Sequence, residues 1–413
     1  MSDKFQSAAA QAQSARADDI VGRVTQIYPA APAKARKARD RRIDVFRGIA
    51  LAMIFINHVP GTIYETLTSR NFGFSDAAEA FVFISGVSAA LAYAAIMAGP
   101  KLWPGVARIW ARAWTLYLVH LLVTIWVIGI TAATYRWGGD TTLMLRDNVQ
   151  YLFKDLSGVL TGLPLMTHQV GYVNILPMYA VLLLACPALI IAGRSHPQLT
   201  LAASVALWFL SGTIRLDLPN FPTPGGWFLN PLSWQLLFVL GLLTGLALRR
   251  GERFVPRHPA LIALAVGVLF LSLVWIKVPA FADHANAVMG KLATLGLPMV
   301  IRDFDKTYLA VPRLFHALAL IYLMSALPIV RHLSNSRWVE PIALLGRQAL
   351  PVFALGSILS FAARSVKLLL GDSFALDSAL ILAGLVLMYA LAWAREKSRA
   401  ITGAAFSPSL RAA

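Results

Sequence analysis

The sequence predicts an all-α integral membrane protein: a polytopic helix bundle of about ten transmembrane helices, with both termini in the cytoplasm. Three observations lead there. Of 413 residues, 58% are hydrophobic and only 14% charged, against about 25% charged in soluble globular domains. The apolar residues come in blocks of about 17–25, the length that crosses a hydrocarbon layer ~30 Å thick as a helix, rather than in the ~10-residue alternating segments of a barrel. The basic residues gather in alternate short loops between those blocks. A soluble core stops growing at about 250–300 residues, so the apolar excess faces lipid.

The blocks lie at about 43–63, 76–97, 108–134, 173–193, 198–214, 232–249, 258–277, 312–330, 340–363 and 375–395. Residues 1–42 are rich in Ala, Gln and Arg and end in AKARKARDRR. With no apolar run before the basic cluster, they are expected to be a disordered basic cytoplasmic tail and not a cleavable signal peptide; a short surface helix is expected near residues 20–28. The transmembrane domain is expected over 43–396 and a second cytoplasmic tail over 397–413. Loops on the N-terminal side carry Lys101, Arg108, Arg112, Arg194, Arg249, Arg250, Arg253, Arg257, Arg331, Arg337, Arg395, Lys397 and Arg399. Loops on the other side mix signs: Glu65 with Arg70, Arg215 with Asp217, Lys367 with Asp372. The positive-inside rule therefore places both ends in the cytoplasm. Two outer loops, at about 136–172 and 278–311, are long enough to hold interfacial helices or a lid.

A net charge of +17 would suggest nucleic acid in a soluble protein. Here the cations flank apolar blocks, so orientation and anionic lipid headgroups account for them. Nucleic acid is excluded as a partner and membrane lipids are expected. Cys186 is the only cysteine, which excludes an intrachain disulfide and a cysteine metal cluster; it is expected to face lipid or the core. No HExxH, P-loop or GxGxxG pattern occurs, so no metal and no nucleotide site is assigned.

The first span, RRIDVFRGIALAMIFINHVPG, carries the chemistry. Arg47 and His58 differ by about 20° around a helix and by about 16 Å along it. Asp44 lies one turn before Arg47 on the same stripe. One face thus holds Asp44 and Arg47 at the inner end and His58 in the outer half, where ionisable groups usually line a bundle interior or a wet cavity. Snorkelling explains Arg47 and a packing role explains His58, but a neutral imidazole can also take and return a proton near pH 7. In the second span, Asp76 and Glu79 share a face at the outer end. Helix capping explains one carboxylate; the second is free to orient His58 as the third member of a triad does. Ser85, Gly86 and Ser88 read as close-packing residues. Asn57, Arg70, Asn71, Trp234, Gln235, Arg313 and His316 cluster at outer ends and are candidates for substrate binding. Asn57, Gln235 and Arg313 are candidate oxyanion donors. Arg347, in Gly346-Arg347-Gln348 at the inner start of the ninth span, suits an anionic ligand or lipid. His120, His196, His258, His284 and His332 read as loop or packing residues.

The run RIDVFRGIALAMIFINHVPG followed by NFGFSDAAEAFVFISG resembles the OpgC family of bacterial inner-membrane proteins, named for succinylation of osmoregulated periplasmic glucans. The likeness continues in WFLNPLSWQLLFVLG, PRLFHALAL and GRQALPVFALGS. The Arg47–His58 spacing is also similar to that of the wider acyltransferase-3 superfamily. The resemblance implies a transmembrane O-acyltransferase of the inner membrane. It would carry an acyl group, succinyl in the family's name, from cytoplasmic acyl-CoA to a hydroxyl of a periplasmic glucan. It makes His58 the catalytic residue and Arg47 its basic partner. Acyl-CoA is then a donor substrate, with no permanently bound cofactor. A dicarboxylic acyl group would want a cation beside it, for which Arg70, Lys306 and Arg313 are candidates. A homo-oligomer is compatible with the sequence. The competing reading is a transporter or flippase for an anionic glycan or lipid precursor; the absence of an internal repeat weighs against it.

Overall fold

The computed structural model describes residues 40–405, with side chains to residue 401. Residues 1–39 of the tail expected over 1–42, with the short helix expected near 20–28, lie outside the described residues, as do residues 406–413; Arg41 and Arg42, expected in that tail, already belong to the first helix. Among the described residues every regular element is a helix, apart from a single bridge between Pro219 and Gly226.

Twelve principal helices follow in order: α1 Arg41–Asn57, α2 Ala77–Tyr93, α3 Trp103–Gly138, α4 Ile175–Ser195, α5 Pro197–Ile214, α6 Pro231–Arg250, α7 Pro259–Lys277, α8 Pro279–Thr294, α9 Val311–Ala326, α10 Glu340–Arg347, α11 Ala349–Leu370 and α12 Phe374–Ala405. Among the described residues seven helices are long and apolar enough to cross a membrane: α3 to α7, α11 and α12. An eighth span results if α9 and Pro328–Ser334, bent by 75°, count as one. The first and second predicted spans are helical too, but α1 and α2 have 17 residues each. At 1.5 Å per residue each is about 25 Å long, short of the hydrocarbon thickness.

Local chemistry sets the ends. Asp76 caps α2, accepting from the Ala78 amide at 2.8 Å, and Glu79 closes the capping box on the Asp76 amide at 2.9 Å. Asn230 caps α6 through the Leu232 amide, with Pro231 at the first turn, where a missing N–H costs nothing. Gly251 ends α6 at φ +87°, in the left-handed region glycine enters freely.

The ninth predicted span, 340–363, is corrected. The chain breaks at Gln348 between α10 and α11, and α11 runs to Leu370. Lys367, expected in an outer loop, is therefore inside the last turn of α11, buried and paired with Asp377 at 2.5 Å and Asp372 at 3.2 Å. The loop near 278–311, expected on the outer side, contains α8 and a turn at Met299–Arg302. The loop near 136–172 contains only the short helices Tyr151–Lys154 and Leu156–Gly162. Cys186 is fully buried in the core.

Helices α1 and α2 sit inside the bundle because glycine lets their backbones approach others. A Cβ on Gly48 would lie 1.9 Å from the Ile342 carbonyl oxygen, and one on Gly346 would lie 1.8 Å from that of Asp44, so α1 and α10 touch backbone to backbone. The same holds for α2 and α6: Gly86 faces the Phe238 carbonyl and Gly241 the Phe83 carbonyl, each at 2.0 Å. Gly241→Ala is expected to cost about 1–3 kcal/mol as overpacking and to lower the melting temperature in detergent. Gly129→Ala, whose added methyl meets nothing within 4 Å, is expected to leave melting unchanged or raise it slightly. Equal melting of the two variants would refute the close-contact account.

The loop between α5 and α6 delivers Phe228 and Leu229 to the end of the bundle where α1 stops and α2 starts. Burial pushes the Asp217 carboxyl in this loop up to about 6, although the Leu218 and Trp227 amides oppose the shift. A raised carboxyl favours the folded state when protonated. Its contribution is present below pH 3.8 and lost as pH rises through about 6. Asp217→Asn should therefore melt above the wild type at pH 7 and level with it at pH 4; identical differences at both pH values would exclude the titration.

Candidate functional site

A cavity of about 940 Å³ opens at the end of the bundle where α1 stops and α2 starts. Asn57 and His58 come from the end of α1, and Arg70 and Gly73 to Ala78 from the turn into α2. Asp147, Asn148, Gly171, Tyr172 and Asn174 come from the α3–α4 loop, and Lys306 and Arg313 from the start of α9 and the loop before it. Ala282 and Asn286 of α8 close one side, and Phe74, Trp275, Phe304 and Phe353 supply apolar wall.

His58 follows directly on α1, its backbone amide still bonded to the Ile54 carbonyl at 3.1 Å. Its ring packs against Tyr172, centroids 4.2 Å apart. Its Nδ1 is buried with no hydrogen-bond partner among the described residues. Tyr172 has φ +62°, a left-handed backbone that a bulky residue adopts only under constraint. The constraint is visible. The Arg364 guanidinium lies 5.2 Å from the Tyr172 ring centre and 2.7 Å from Asp147, and the Gly171 amide bonds the Asp147 carbonyl at 3.0 Å. Asp147 and Asn148 are also left-handed, at φ +56° and +70°. The α3–α4 loop is thus pinned onto α11, and Tyr172 is pressed onto His58.

The acidic pair is engaged elsewhere. Asp76 receives Lys306 at 2.5 Å and Arg313 at 3.5 Å, and Glu79, wholly buried, receives Arg313 at 2.5 Å. No hydrogen bond joins either carboxylate to His58 among the described residues; the ring packed on His58 is that of Tyr172. The cause is electrostatic: two carboxylates at the head of α2 attract the cations of a segment 230 residues later, and those bonds use the oxygens. Glu79 does not line the cavity; it seats Arg313 behind the wall.

The other candidates divide clearly. Asn57, His58, Arg70, Asp76 and Arg313 line the cavity. The Thr68 hydroxyl lies 2.7 Å from one amide atom of Asn57, leaving the other for the cavity. Arg70 is half exposed and 3.6 Å from Glu65. Asn71 bonds the Glu65 carbonyl at 2.5 Å, within the turn. His316 is buried behind the wall, its Nδ1 2.7 Å from the Ser75 hydroxyl; Gly73 lets it approach, since a Cβ there would fall 1.7 Å from His316 Nε2. Trp234, fully buried, bonds the Lys306 carbonyl at 3.0 Å and braces that loop. Gln235 points away to Ser204 of α5, at 2.6 and 2.8 Å. Toward the start of α1, away from the cavity, Arg47 is drawn to the Ser88 hydroxyl of α2, with the Gly346 carbonyl at 3.4 Å and Asp44 at 3.9 Å. Arg347 is held by Glu340 at 2.7 Å and Glu396 at 3.3 Å. Among the described residues no group of three or more His, Cys, Asp or Glu is arranged to hold a metal ion.

Sequence reasoning missed Tyr172, Asp147 and Arg364. Arg364 carried a usable signal, since it is an ionisable residue within the apolar run ALPVFALGSILSFAARSVKLLL. Tyr172 and Asp147 carried none: their placement depends on left-handed backbone angles in a long loop.

Residues 39–400 match the protein family described as OpgC protein. No curated protein matches the chain.

Proposed function

This chain belongs to the OpgC family, and on that premise we propose that it is a transmembrane O-acyltransferase that modifies a glucan. The reaction would carry an acyl group, succinyl being the first candidate, from cytoplasmic acyl-CoA to a hydroxyl of a periplasmic glucan. The single observation that carries the reading is the shared wall of the 940 Å³ cavity: His58 stands in it beside Arg70, Lys306 and Arg313. A base next to cations is the equipment for transferring a negatively charged acyl group.

The chemistry balances with these residues. Neutral His58 takes the proton of a glucan hydroxyl as its oxygen attacks the thioester carbonyl. The C–O bond forms, the C–S bond breaks, and CoA leaves as thiolate. The imidazolium returns the proton to sulfur, giving an ester and a free thiol. Asn57 and Arg313 are the proposed donors to the oxyanion; Gln235, turned toward Ser204, is set aside. Lys306, Arg313 and Arg70 offer positive charge to a dicarboxylic acyl chain. Asp76 and Glu79 serve as positioning residues that hold Lys306 and Arg313 at the wall. Arg47 is the proposed contact for CoA phosphates at the inner end. Arg347, already bound by two glutamates, is assigned to holding α10 against α12.

The proposed topology has ten spans, both termini in the cytoplasm and the cavity facing the periplasm of an inner membrane. Two features support it. Basic residues crowd the loops opposite the cavity. Helix α2 also continues through Ala94 and Ala95 into a 3₁₀ turn at Ile96–Ala98, which lengthens a short span. The reading is tested in proteoliposomes loaded with radiolabelled succinyl-CoA and given a β-glucan outside. Label on the glucan is expected. Glucan that crosses the bilayer without label, with every acyl-CoA tried, would replace the enzyme by a transporter.

A further inference from the structure

The cavity that holds His58 has an uncharged sector. Its charged lining residues Arg70, Asp76, Asp147, Lys306 and Arg313 come from the turn into α2, the α3–α4 loop and the start of α9 with the segment before it. Helices α7 and α8 contribute only Trp275, Ala282 and Asn286. The proposed transfer chemistry uses none of these three.

Aromatic rings build that sector. Trp275 stands almost at right angles to Phe74, at 87° with ring centres 5.4 Å apart, and to Phe304, at 85° and 5.5 Å. Phe74 and Phe304 lie 4.6 Å apart, tilted by 44°. Each of the three is half-buried and lines the cavity. An edge-to-face contact covers one face of one ring and leaves the other faces free. The cluster therefore fixes the orientation of its rings and still presents π surface to the cavity.

A polar group beside the rings is fixed as well. The Trp275 Nε1–H donates to Asn286 Oδ1 at 3.1 Å. An indole N–H can only donate, so it takes the amide oxygen and leaves the Asn286 NH2 group as a donor. Ala282, four residues earlier, lies on the same stripe of α8. No residue of α8 is buried, and Phe281 makes its other ring contact with Trp275, at 6.2 Å. Helix α8 thus covers the cavity without adding to the core.

Uncharged π surface beside an amide donor suits a pyranose ring. The face of such a ring carries C–H bonds with partial positive charge, which the negative face of an aromatic ring attracts. Its rim carries hydroxyls that an amide can meet. A dicarboxylic acyl group is an anion and belongs with the cations of the other sector. We propose that Trp275, Phe74, Phe304 and Asn286 form the acceptor subsite, where a glucose unit of the glucan stacks on the rings and accepts from the Asn286 amide. The identity of the ligand rests on the acyl-transfer reading.

Isothermal titration calorimetry of the full-length protein in detergent, with a linear β-linked glucohexaose and no donor, tests this. Trp275→Leu is expected to weaken glucan binding about tenfold and Asn286→Ala about fivefold. Trp275→Phe, which keeps a ring but loses the bond to Asn286, should fall between wild type and Trp275→Leu. Affinity for succinyl-CoA, titrated in the same way, should stay within about twofold in all three. If Trp275→Leu does not fold, Asn286→Ala, at an exposed position, carries the test. No glucan binding by the wild type would overturn the proposal. So would unchanged glucan affinity in the variants, or an equal loss of affinity for succinyl-CoA. The outcome is separable from that of the acyl-transfer reading. Glucan binding that depends on Trp275 in a protein that never transfers label keeps the subsite and removes the enzyme. Label transfer with the acceptor KM unmoved in Trp275→Leu does the reverse.

Discussion

Replacing His58 by alanine is expected to lower acyl transfer to glucan by about 10²–10⁴-fold, the range that a positioned general base contributes. The protein should stay folded, for structural reasons. Among the described residues the His58 Nδ1 makes no hydrogen bond that could be lost, and the contact with Tyr172 is a ring contact at 4.2 Å, worth about 0.5–1.5 kcal/mol beyond area burial. The comparison is initial rate of label transfer against elution volume and melting temperature of the same preparation. Transfer within twofold of wild type would remove His58 from the chemistry. A fall in transfer matched by a fall in folded protein would make it a packing residue.

The second large effect is on stability. Arg313 is the cation that neutralises Glu79, and Glu79 is fully buried. Arg313→Met should cost about 3–5 kcal/mol, because a carboxylate would remain in the bundle with only a backbone amide for company. Asp76 would lose less, since Lys306 still meets it at 2.5 Å. Adding Glu79→Gln should recover most of the loss, as the uncompensated charge would be gone. The double variant isolates the pair: if Arg313→Met/Glu79→Gln melts no higher than Arg313→Met, the burden lies in the side chain's packing and not in its charge. Transfer should stay impaired in both variants if Arg313 also faces the acyl group, so stability and activity report on different ends of the same guanidinium.

These two expectations separate what a helix reveals alone from what a bundle adds. His58 was legible because a helix is periodic: a residue eleven positions from Arg47 falls on the same stripe whatever surrounds it. The capping of α2 was legible as well, since Asp76 and Glu79 act within one turn. The number of full-length spans was less so. Hydropathy marks apolar runs, but glycine contacts at Gly48, Gly86, Gly241 and Gly346 let α1 and α2 be short and interior, and Gln348 breaks a run that reads as continuous.

What the sequence by itself determined is the all-helical membrane fold, the family, and a histidine on the polar stripe of the first helix. Each rests on short-range patterns: run length, turn period, adjacent motifs. What only the tertiary structure decided is the company that histidine keeps. The carboxylates of α2 went to Lys306 and Arg313, and the ring went to Tyr172, fixed from α11 by Arg364. Those partners lie far along the chain, where Coulomb attraction and packing depend on distance in space, and no local period encodes that distance.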